Sequence, residues 1–170
     1  YVRMSRLSAE ERERGVVAAS AGNHAQGVAL AAQMLGIKAT VFMPEGAPIP
    51  KLNATRGYGA EVIFHGAFLD AALKRAIEYA EETGAVLIHP FDHVDIVAGQ
   101  ATCGLEILEQ APQAASVIVP TGGGGLIAGI ALAIKTHRPD IKVIGVQAEG
   151  AAAYPGSLAA GEPVALESMS

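Results

Sequence analysis

The sequence predicts an α/β fold in which parallel strands are covered by helices on both faces. Short apolar segments alternate along the chain with longer segments of helical character. The short segments are almost continuously apolar, which is typical of strands buried on both faces. Parallel neighbours need a crossover, and a helix of 10 or more residues separates most of the predicted strands. The order of elements therefore favours repeated βα units over an all-helical or all-β fold.

Six strands and six main helices follow from this pattern. The strands are predicted at 15–19, 37–43, 61–64, 85–89, 116–120 and 142–148. The helices are predicted at 23–35, 49–58, 68–83, 95–110, 126–137 and 151–160. Gly36 ends the first helix and Pro50 lies at the start of the second. Residues 2–13 are predicted as two short polar helices on the surface, the second capped by Ser8.

Composition narrows the possible partners. The chain has 170 residues, 51% of them hydrophobic, enough for a buried core in one or two domains. A formal net charge of -5 without long charge runs argues against binding to nucleic acid or to an anionic membrane. No apolar run approaches the roughly 20 residues of a membrane span. Cys103 is the only cysteine, so we expect a reducing, cytoplasmic compartment and a buried thiol.

The segment Ser20–Gly27 connects the first predicted strand to the first long helix. Backbone N–H groups at the start of a helix lack intrahelical partners, and the helix dipole adds partial positive charge there. Ser20 and Asn23 can form hydrogen bonds, and Gly22 leaves room for a ligand near the backbone. This turn is therefore predicted to bind an anion such as a carboxylate or phosphate.

A second strand-to-helix turn, Thr121–Leu126, contains four consecutive glycines. Without Cβ atoms, successive N–H groups can face one concavity and hold a phosphate, although a merely flexible turn is the alternative. Gly123, Gly125 and Ala128 also match the relaxed dinucleotide pattern G-x-G-x-x-A, with Glu149 near the expected acidic position. That interpretation leaves Ser20–Gly27 unexplained, whereas a phosphate cofactor with a carboxylate substrate uses both turns.

Six motifs, in this order, extend over nearly the whole chain. They are Ser20–Gly27; Phe42-Met43-Pro44 with Pro50-Lys51; Gly59-Ala60-Glu61-Val62; His89-Pro90-Phe91-Asp92; Ala98-Gly99-Gln100 with Thr102 and Glu106; and Gly122–Leu126. Together they resemble the fold-type II pyridoxal-phosphate enzymes, which include the threonine dehydratases and the serine racemases. The resemblance implies a fold related to the β subunit of tryptophan synthase, with pyridoxal 5'-phosphate as cofactor.

The resemblance also implies roles for individual residues. Asn23 would hydrogen-bond the phenolic oxygen of the cofactor ring, although a helix-start role is the alternative. The cofactor phosphate would be bound by Gly122, Gly123, Gly124, Gly125 and Leu126. The substrate carboxylate would be bound by Ser20, Ala21, Gly22 and His24. The sequence supplies no orienting partner for His24, so we expect it to contribute structurally or through its backbone rather than as an acid or base.

The domain organisation follows from the same resemblance. Residues 1–13 would be a helical part of the large domain, 14–92 the small substrate-loop domain, and 93–170 part of the large cofactor-binding domain. Lys51 is interpreted as a solvated lysine near a helix start, and Asp92 and His93 as turn and surface residues. Glu149 matches a metal-binding position of serine racemases, but no downstream Asp completes that site. No metal is expected.

The lysine that forms a Schiff base in these enzymes is expected upstream of Tyr1. In the family it lies in a Ser-Phe-Lys-x-Arg-Gly-Ala motif, which none of the lysines of this chain matches: Lys38, Lys51, Lys74, Lys135 and Lys142. We therefore expect an internal fragment of a longer enzyme, with no catalytic residue of its own and inactive alone.

The activity implied for the parent protein is dehydration and deamination of L-threonine to 2-oxobutanoate and ammonia in isoleucine biosynthesis. L-Serine would be a lesser substrate, and the enzyme a homo-oligomer, dimeric or tetrameric. Ala21 stands where serine racemases have a second serine, which favours elimination over racemisation. Three alternatives remain: a serine racemase or catabolic serine dehydratase, a nicotinamide-dependent oxidoreductase, and a non-catalytic ligand-binding or regulatory fragment.

Overall fold

The computed structural model describes residues 1–164 and has the predicted α/β fold. These residues form two compact units, one from Tyr1 to Gly99 and one that begins at Gln100. All strand pairs in both units are parallel. The first unit therefore contains residues 1–13 together with 14–92, and it continues a few residues beyond them.

The first unit is built on a four-stranded sheet. Its strands are β1 (Val16–Ala19), β2 (Ala39–Met43), β3 (Glu61–Phe64) and β4 (Val86–Leu87), in the spatial order β3-β2-β1-β4. Two predicted strands are shorter than expected. The segment predicted at 37–43 joins the sheet only from Ala39, and the segment predicted at 85–89 pairs through two residues.

Five helices belong wholly to the first unit, and a sixth begins in it. They are α1 (Val2–Ser5), α2 (Ala9–Arg14), α3 (Asn23–Leu35), α4 (Ile49–Gly57), α5 (Leu69–Thr83) and α6 (Val94–Gln110). Gly36 ends α3 in the left-handed conformation with φ 67°, as expected of a glycine at a helix end. The predicted helix boundaries are met to within a residue or two.

The two faces of the sheet bury separate apolar clusters. On one face, Ala18 of β1 and Val41 of β2 pack with alanines of α3. On the other, Val17 of β1 and Phe42 of β2 pack with Ala72 and Ala76 of α5. All of β1 is buried because β2 and β4 flank it on both edges and helices cover both faces. This is why its sequence is continuously apolar.

The N-terminal helices are more buried than their polar sequence predicted. The capping box is formed, because Ser8 Oγ accepts from the Glu11 amide and Glu11 accepts from the Ser8 amide. Met4 and Leu7, however, are only 1% and 4% exposed and belong to the core cluster on the α3 face. The prediction of a purely surface segment was wrong, because two apolar residues in it are enough to anchor it.

As far as residue 164, the second unit contains one pair of strands and two helices of its own. It comprises β5 (Ser116–Pro120), α7 (Gly125–His137), β6 (Lys142–Val146), a 3-10 turn (Glu149–Ala151) and α8 (Ala153–Ala160). Val119 packs with Ile130 and Ile134 of α7. The opposite sheet face carries Ile118 and Ile144, which are 67% and 44% exposed.

Cys103 is exposed, contrary to the prediction of a buried thiol. Its neighbour Gly104 takes the inward position of α6, where a Cβ would lie 2.8 Å from the Cβ of Ala133 on α7. No helix within residues 1–164 is long and apolar enough to cross a bilayer.

Candidate functional site

The turn after β1 lies where the strand order of the first sheet reverses. The chain leaves β1 through α3 to reach β2 on one side, and β4, the last strand formed, lies on the other side of β1. In open parallel sheets, such a reversal at the carboxyl ends of the strands leaves a crevice that commonly binds ligands. Ser20, Ala21 and Gly22 follow β1 at this place.

Ser20 holds the turn in shape. Its amide donates to the carbonyl of Phe42 at 3.1 Å, and its Oγ accepts from the Gly22 amide at 3.0 Å. The residue is only 8% exposed. Because these bonds use the amide of Ser20 and a lone pair of Oγ, the hydroxyl proton remains able to donate to a ligand oxygen.

The start of α3 presents unpartnered backbone donors. Gly22 is the N-cap residue, and no side chain among the residues that the structure describes caps the helix. Within the described chain, the amides of Ala21, Asn23 and His24 donate to no other residue. Unpaired N–H groups at the positive end of a 13-residue helix are the arrangement that binds anions. The geometry of the turn agrees with the anion site expected from sequence.

Lys51 contacts this turn, which the sequence interpretation missed. Its Nζ donates to Oδ1 of Asn23 at 2.6 Å, a contact that the interpretation of Lys51 as a solvated lysine near a helix start did not include. The two residues are 28 positions apart and belong to α4 and α3, which pack together. Asn23 is the first residue of α3, but its side chain does not cap the helix.

His24 has an orienting partner, although none was evident in the sequence. Its Nε2 lies 2.8 Å from the carbonyl oxygen of Ile88, just after β4. Since a carbonyl only accepts, Nε2 carries the proton in this contact. Burial lowers the pKa of His24, nearby His89 lowers it further, and the hydrogen bond to Ile88 opposes them. The ring is therefore neutral near pH 7. Its hydrogen bond connects α3 to the end of β4.

The other histidines of the region shape local turns. Nδ1 of His89 accepts from the Asp92 amide at 2.8 Å, and Nδ1 of His93 accepts from the Asp95 amide at 3.1 Å. The buried carboxylate of Asp95 forms an ion pair with Arg6. These contacts agree with the interpretation of Asp92 as a turn residue and give His93 a structural use at the start of α6.

The glycine turn in the second unit lies between β5 and α7. The Thr121 amide donates to Val146 of β6 and fixes where the turn begins. Beyond it, no backbone amide from Gly122 to Leu126 has a hydrogen-bond partner within residues 1–164. Gly124 is the N-cap residue of α7 and has φ 91°, which disfavours any residue with a side chain.

Tyr154 borders this turn, and no sequence signal indicated it. Its hydroxyl donates to the Gly123 carbonyl at 3.3 Å, and a Cβ placed on Gly124 would lie 1.8 Å from the same hydroxyl oxygen. At Gly122, by contrast, a Cβ would meet no atom of the described part of the chain within 4 Å. The turn is thus closed by Tyr154 at Gly124 and open at Gly122.

The glycine turn fits a phosphate group. Phosphate oxygens are acceptors, and the five amides from Gly122 to Leu126 are donors without partners in the described residues. The absence of Cβ atoms allows close approach, and the start of α7 favours negative charge. Glu149 lies in the 3-10 turn. Residues 1–164 contain no group of three or more His, Cys, Asp or Glu suited to a metal ion.

A protein-family profile described as "Pyridoxal-phosphate dependent enzyme" matches residues 1–170. The chain belongs to this family. Membership of a pyridoxal-phosphate-dependent family contradicts the alternative of a nicotinamide-dependent oxidoreductase, which was based on Gly123, Gly125 and Ala128. The fold expected from the resemblance is confirmed.

Relatives within the family include both lyases and racemases. The L-threonine ammonia-lyase of Thermotoga maritima is 53% identical over 167 residues, 98% of this chain and 42% of that protein. The processed threonine deaminase isoform 2 of Solanum lycopersicum superposes with a TM-score of 0.94 at 45% identity, covering 99% of this chain and 49% of that one. Maize serine racemase also gives 0.94, at 40% identity, covering 99% and 51%. The chain thus spans about half or less of each.

Proposed function

We propose that the whole protein is a pyridoxal-phosphate-dependent ammonia-lyase that converts L-threonine to 2-oxobutanoate and ammonia, with L-serine as a lesser substrate. The observation that carries the proposal is the glycine turn: five successive amides without partners among residues 1–164, in a chain of this family. The 53% identity to a threonine ammonia-lyase supports the choice of reaction.

The glycine turn would bind the cofactor phosphate. Gly122, Gly123, Gly124, Gly125 and Leu126 would each offer a backbone N–H, at the positive end of α7. When bound, the cofactor supplies an electron-withdrawing ring that makes the Cα proton of an amino acid removable. Tyr154 would stabilise the conformation of the turn through its hydrogen bond to the Gly123 carbonyl.

The turn after β1 would bind the substrate carboxylate. Ser20 can donate its hydroxyl proton to the carboxylate. The amides of Ala21, Asn23 and His24, which lie before and at the start of α3, can donate to it as well. Gly22 leaves room for the carboxylate to approach the backbone. A carboxylate held in this way fixes the rotation of Cα, and fixed orientation is a main source of rate in such reactions. Asn23 would donate to the phenolic oxygen of the cofactor ring.

His24 would support this turn without exchanging protons with the substrate. Its Nε2 proton is used by the Ile88 carbonyl, and burial keeps the ring neutral. Because the imidazole is neutral, the positive electrostatic potential at the start of α3 would come from the backbone amides and from Lys51.

Ala21 favours the lyase over the runner-up, a serine racemase. A racemase must return a proton to the opposite face of Cα, and a methyl group at position 21 cannot donate one. The fold does not separate the two activities, because the threonine deaminase and the serine racemase give equal TM-scores. The choice therefore rests on this side chain and on sequence identity.

The remaining assignments belong to the same proposal. The lysine that binds the cofactor covalently would lie outside these 170 residues, so this chain alone would be inactive. Residues 1–13 and 93–170 would belong to the large domain and 14–92 to the small one. The protein would be a cytoplasmic homo-oligomer acting in isoleucine biosynthesis, without nucleic-acid or membrane partners.

The test uses the full-length protein. We expect visible absorbance from bound pyridoxal phosphate, fixation of the cofactor to one lysine by borohydride, and no fixation at Lys51. Formation of 2-oxobutanoate from threonine should exceed pyruvate formation from serine, and chiral chromatography should detect no D-serine. Cofactor binding without any elimination would favour a non-catalytic protein. D-Serine formation as the main activity would favour the racemase.

A further inference from the structure

The contact between Lys51 and Asn23 determines how the asparagine amide is turned. Nζ of Lys51 lies 2.6 Å from the side-chain oxygen Oδ1 of Asn23. An ammonium group has three donors and no acceptor, so only the oxygen end of the amide can face it. The usual ambiguity between the oxygen and nitrogen ends of an asparagine is therefore resolved by the chemistry of its partner.

The nitrogen end of the same amide is left available. Within residues 1–164, Nδ2 of Asn23 has no hydrogen-bond partner, and the residue is exposed. The pair therefore presents two N–H donors and no acceptor on the side of Asn23 turned away from the lysine. Such a group attracts an anionic oxygen and not a donor.

The position of Lys51 is itself fixed. Its carbonyl accepts from Oγ1 of Thr55 at 2.8 Å, and Thr55 is completely buried. The lysine amide donates to the carbonyl of Pro48 at 2.9 Å. Because these bonds involve its backbone, a change of the Lys51 side chain would leave the first turn of α4 in place.

We propose that Lys51 is a positioning residue that holds the Asn23 amide with its N–H groups toward the phenolic oxygen of the cofactor. The inference rests on the proposed function, since it assumes that Asn23 meets this oxygen. Without the lysine, the amide could turn by 180° and place its own oxygen against the phenolic oxygen, where two acceptors repel. Lys51 would also bring positive charge toward an oxygen that is negative in the bound cofactor.

The experiment titrates the full-length apo-protein with pyridoxal phosphate. The variants are Lys51→Met, Lys51→Arg, Asn23→Ala and the double variant Lys51→Met with Asn23→Ala. Lys74→Met is the matched control, because Lys74 is an exposed lysine of α5 without a hydrogen bond to the described residues. Three quantities are measured: the cofactor dissociation constant, the ratio of the two long-wavelength absorption bands of the bound cofactor, and the unfolding temperature of the apo-protein.

We expect Lys51→Met to weaken cofactor binding by about 3–10-fold, the range for a partly exposed charge-assisted hydrogen bond. The band ratio should shift as well, since it reports the protonation of the phenolic oxygen. Lys51→Arg should restore much of both, because it keeps the donor. In the Asn23→Ala background, Lys51→Met should have much less effect. Lys74→Met should match the wild type.

Several results would overturn the inference. An unchanged affinity and band ratio in Lys51→Met would do so, as would an equal effect of that change with and without Asn23. If Lys51→Met proves unstable as apo-protein, Lys51→Ala decides in its place, because it also removes the donor and alanine is well tolerated in a helix; unchanged affinity and band ratio in that variant would equally overturn the inference. Failure of the wild type to bind pyridoxal phosphate would reject the proposed function, whereas normal binding with an inert Lys51 would reject this inference alone.

Discussion

Nε2 of His24, in the first turn of α3, donates to the carbonyl oxygen of Ile88 just beyond β4. This bond joins the two sides of the strand reversal, because α3 follows β1 and Ile88 follows the neighbouring strand β4. It joins residues 64 positions apart through a side chain and a backbone carbonyl. The turn after β1 is therefore fixed to the sheet at both its start, through Ser20, and its end, through His24.

Replacing His24 with Ala should lower the free energy of unfolding by about 1–3 kcal/mol, because it leaves the Ile88 carbonyl without its donor. His24→Gln should lose less, since its amide can donate to the same carbonyl. Urea unfolding of the full-length apo-protein would measure both. Equal losses in the two variants would show that packing, and not the hydrogen bond, is responsible.

The stability of the protein should fall as the pH is lowered through the region of His24 titration. The pKa of His24 in the folded state lies below its ordinary value of 6.5. Between the folded pKa and about 6.5, the unfolded chain binds a proton that the folded chain does not, so acid favours unfolding. The contribution is complete above about pH 7. The difference between wild type and His24→Gln, followed by urea unfolding from pH 8 to 5, should show this fall; a flat difference would refute it.

Two alanine substitutions in the glycine turn should separate folding from phosphate binding. Gly124→Ala meets both a positive φ and the Tyr154 hydroxyl, so it should destabilise the protein by about 1–3 kcal/mol. Gly122→Ala meets no atom of residues 1–164 within 4 Å and should change stability by less than about 0.5 kcal/mol.

Gly122→Ala should nevertheless weaken binding of pyridoxal phosphate by about 10-fold, because its methyl group enters the space that the phosphate would occupy. Pyridoxal, which lacks the phosphate, is the control ligand and should bind both proteins with similar affinity. Equal losses for the two ligands would place the phosphate elsewhere.

Ala21→Ser in the full-length protein should raise serine racemisation from near zero to a measurable rate. The new hydroxyl would lie in the turn after β1, which is proposed to bind the substrate carboxylate, and it could return a proton to Cα there. Chiral chromatography of reactions with L-serine would detect the product, and Ala67→Ser, at an exposed loop position, is the control. Unchanged racemisation and elimination would remove Ala21 from the specificity argument.

The sequence predicted the order of elements because β1 and β2 are buried on both faces and the helix between them, α3, ends at Gly36. It also located the two turns, because glycines and small polar residues between a strand and a helix leave the backbone N–H groups accessible. The contacts that shape the turns were not predictable. The partner of His24 is a carbonyl, which every residue possesses, and Lys51 reaches Asn23 only through the packing of α4 on α3. The exposure of Cys103 depends on Gly104 taking the inward position.

The burial of β1 has a consequence for hydrogen exchange. The amides of Val17 and Ala18 lie in the centre of a sheet covered on both faces, so they should exchange only when the whole unit unfolds. A few residues away, the amides of Asn23 and His24 have no hydrogen-bond partner within residues 1–164 and should exchange rapidly. A bound anion should slow the second group by far more than the first. The exchange rates of these two amides therefore report whether an anion is bound to the turn, and the measurement does not require catalytic activity.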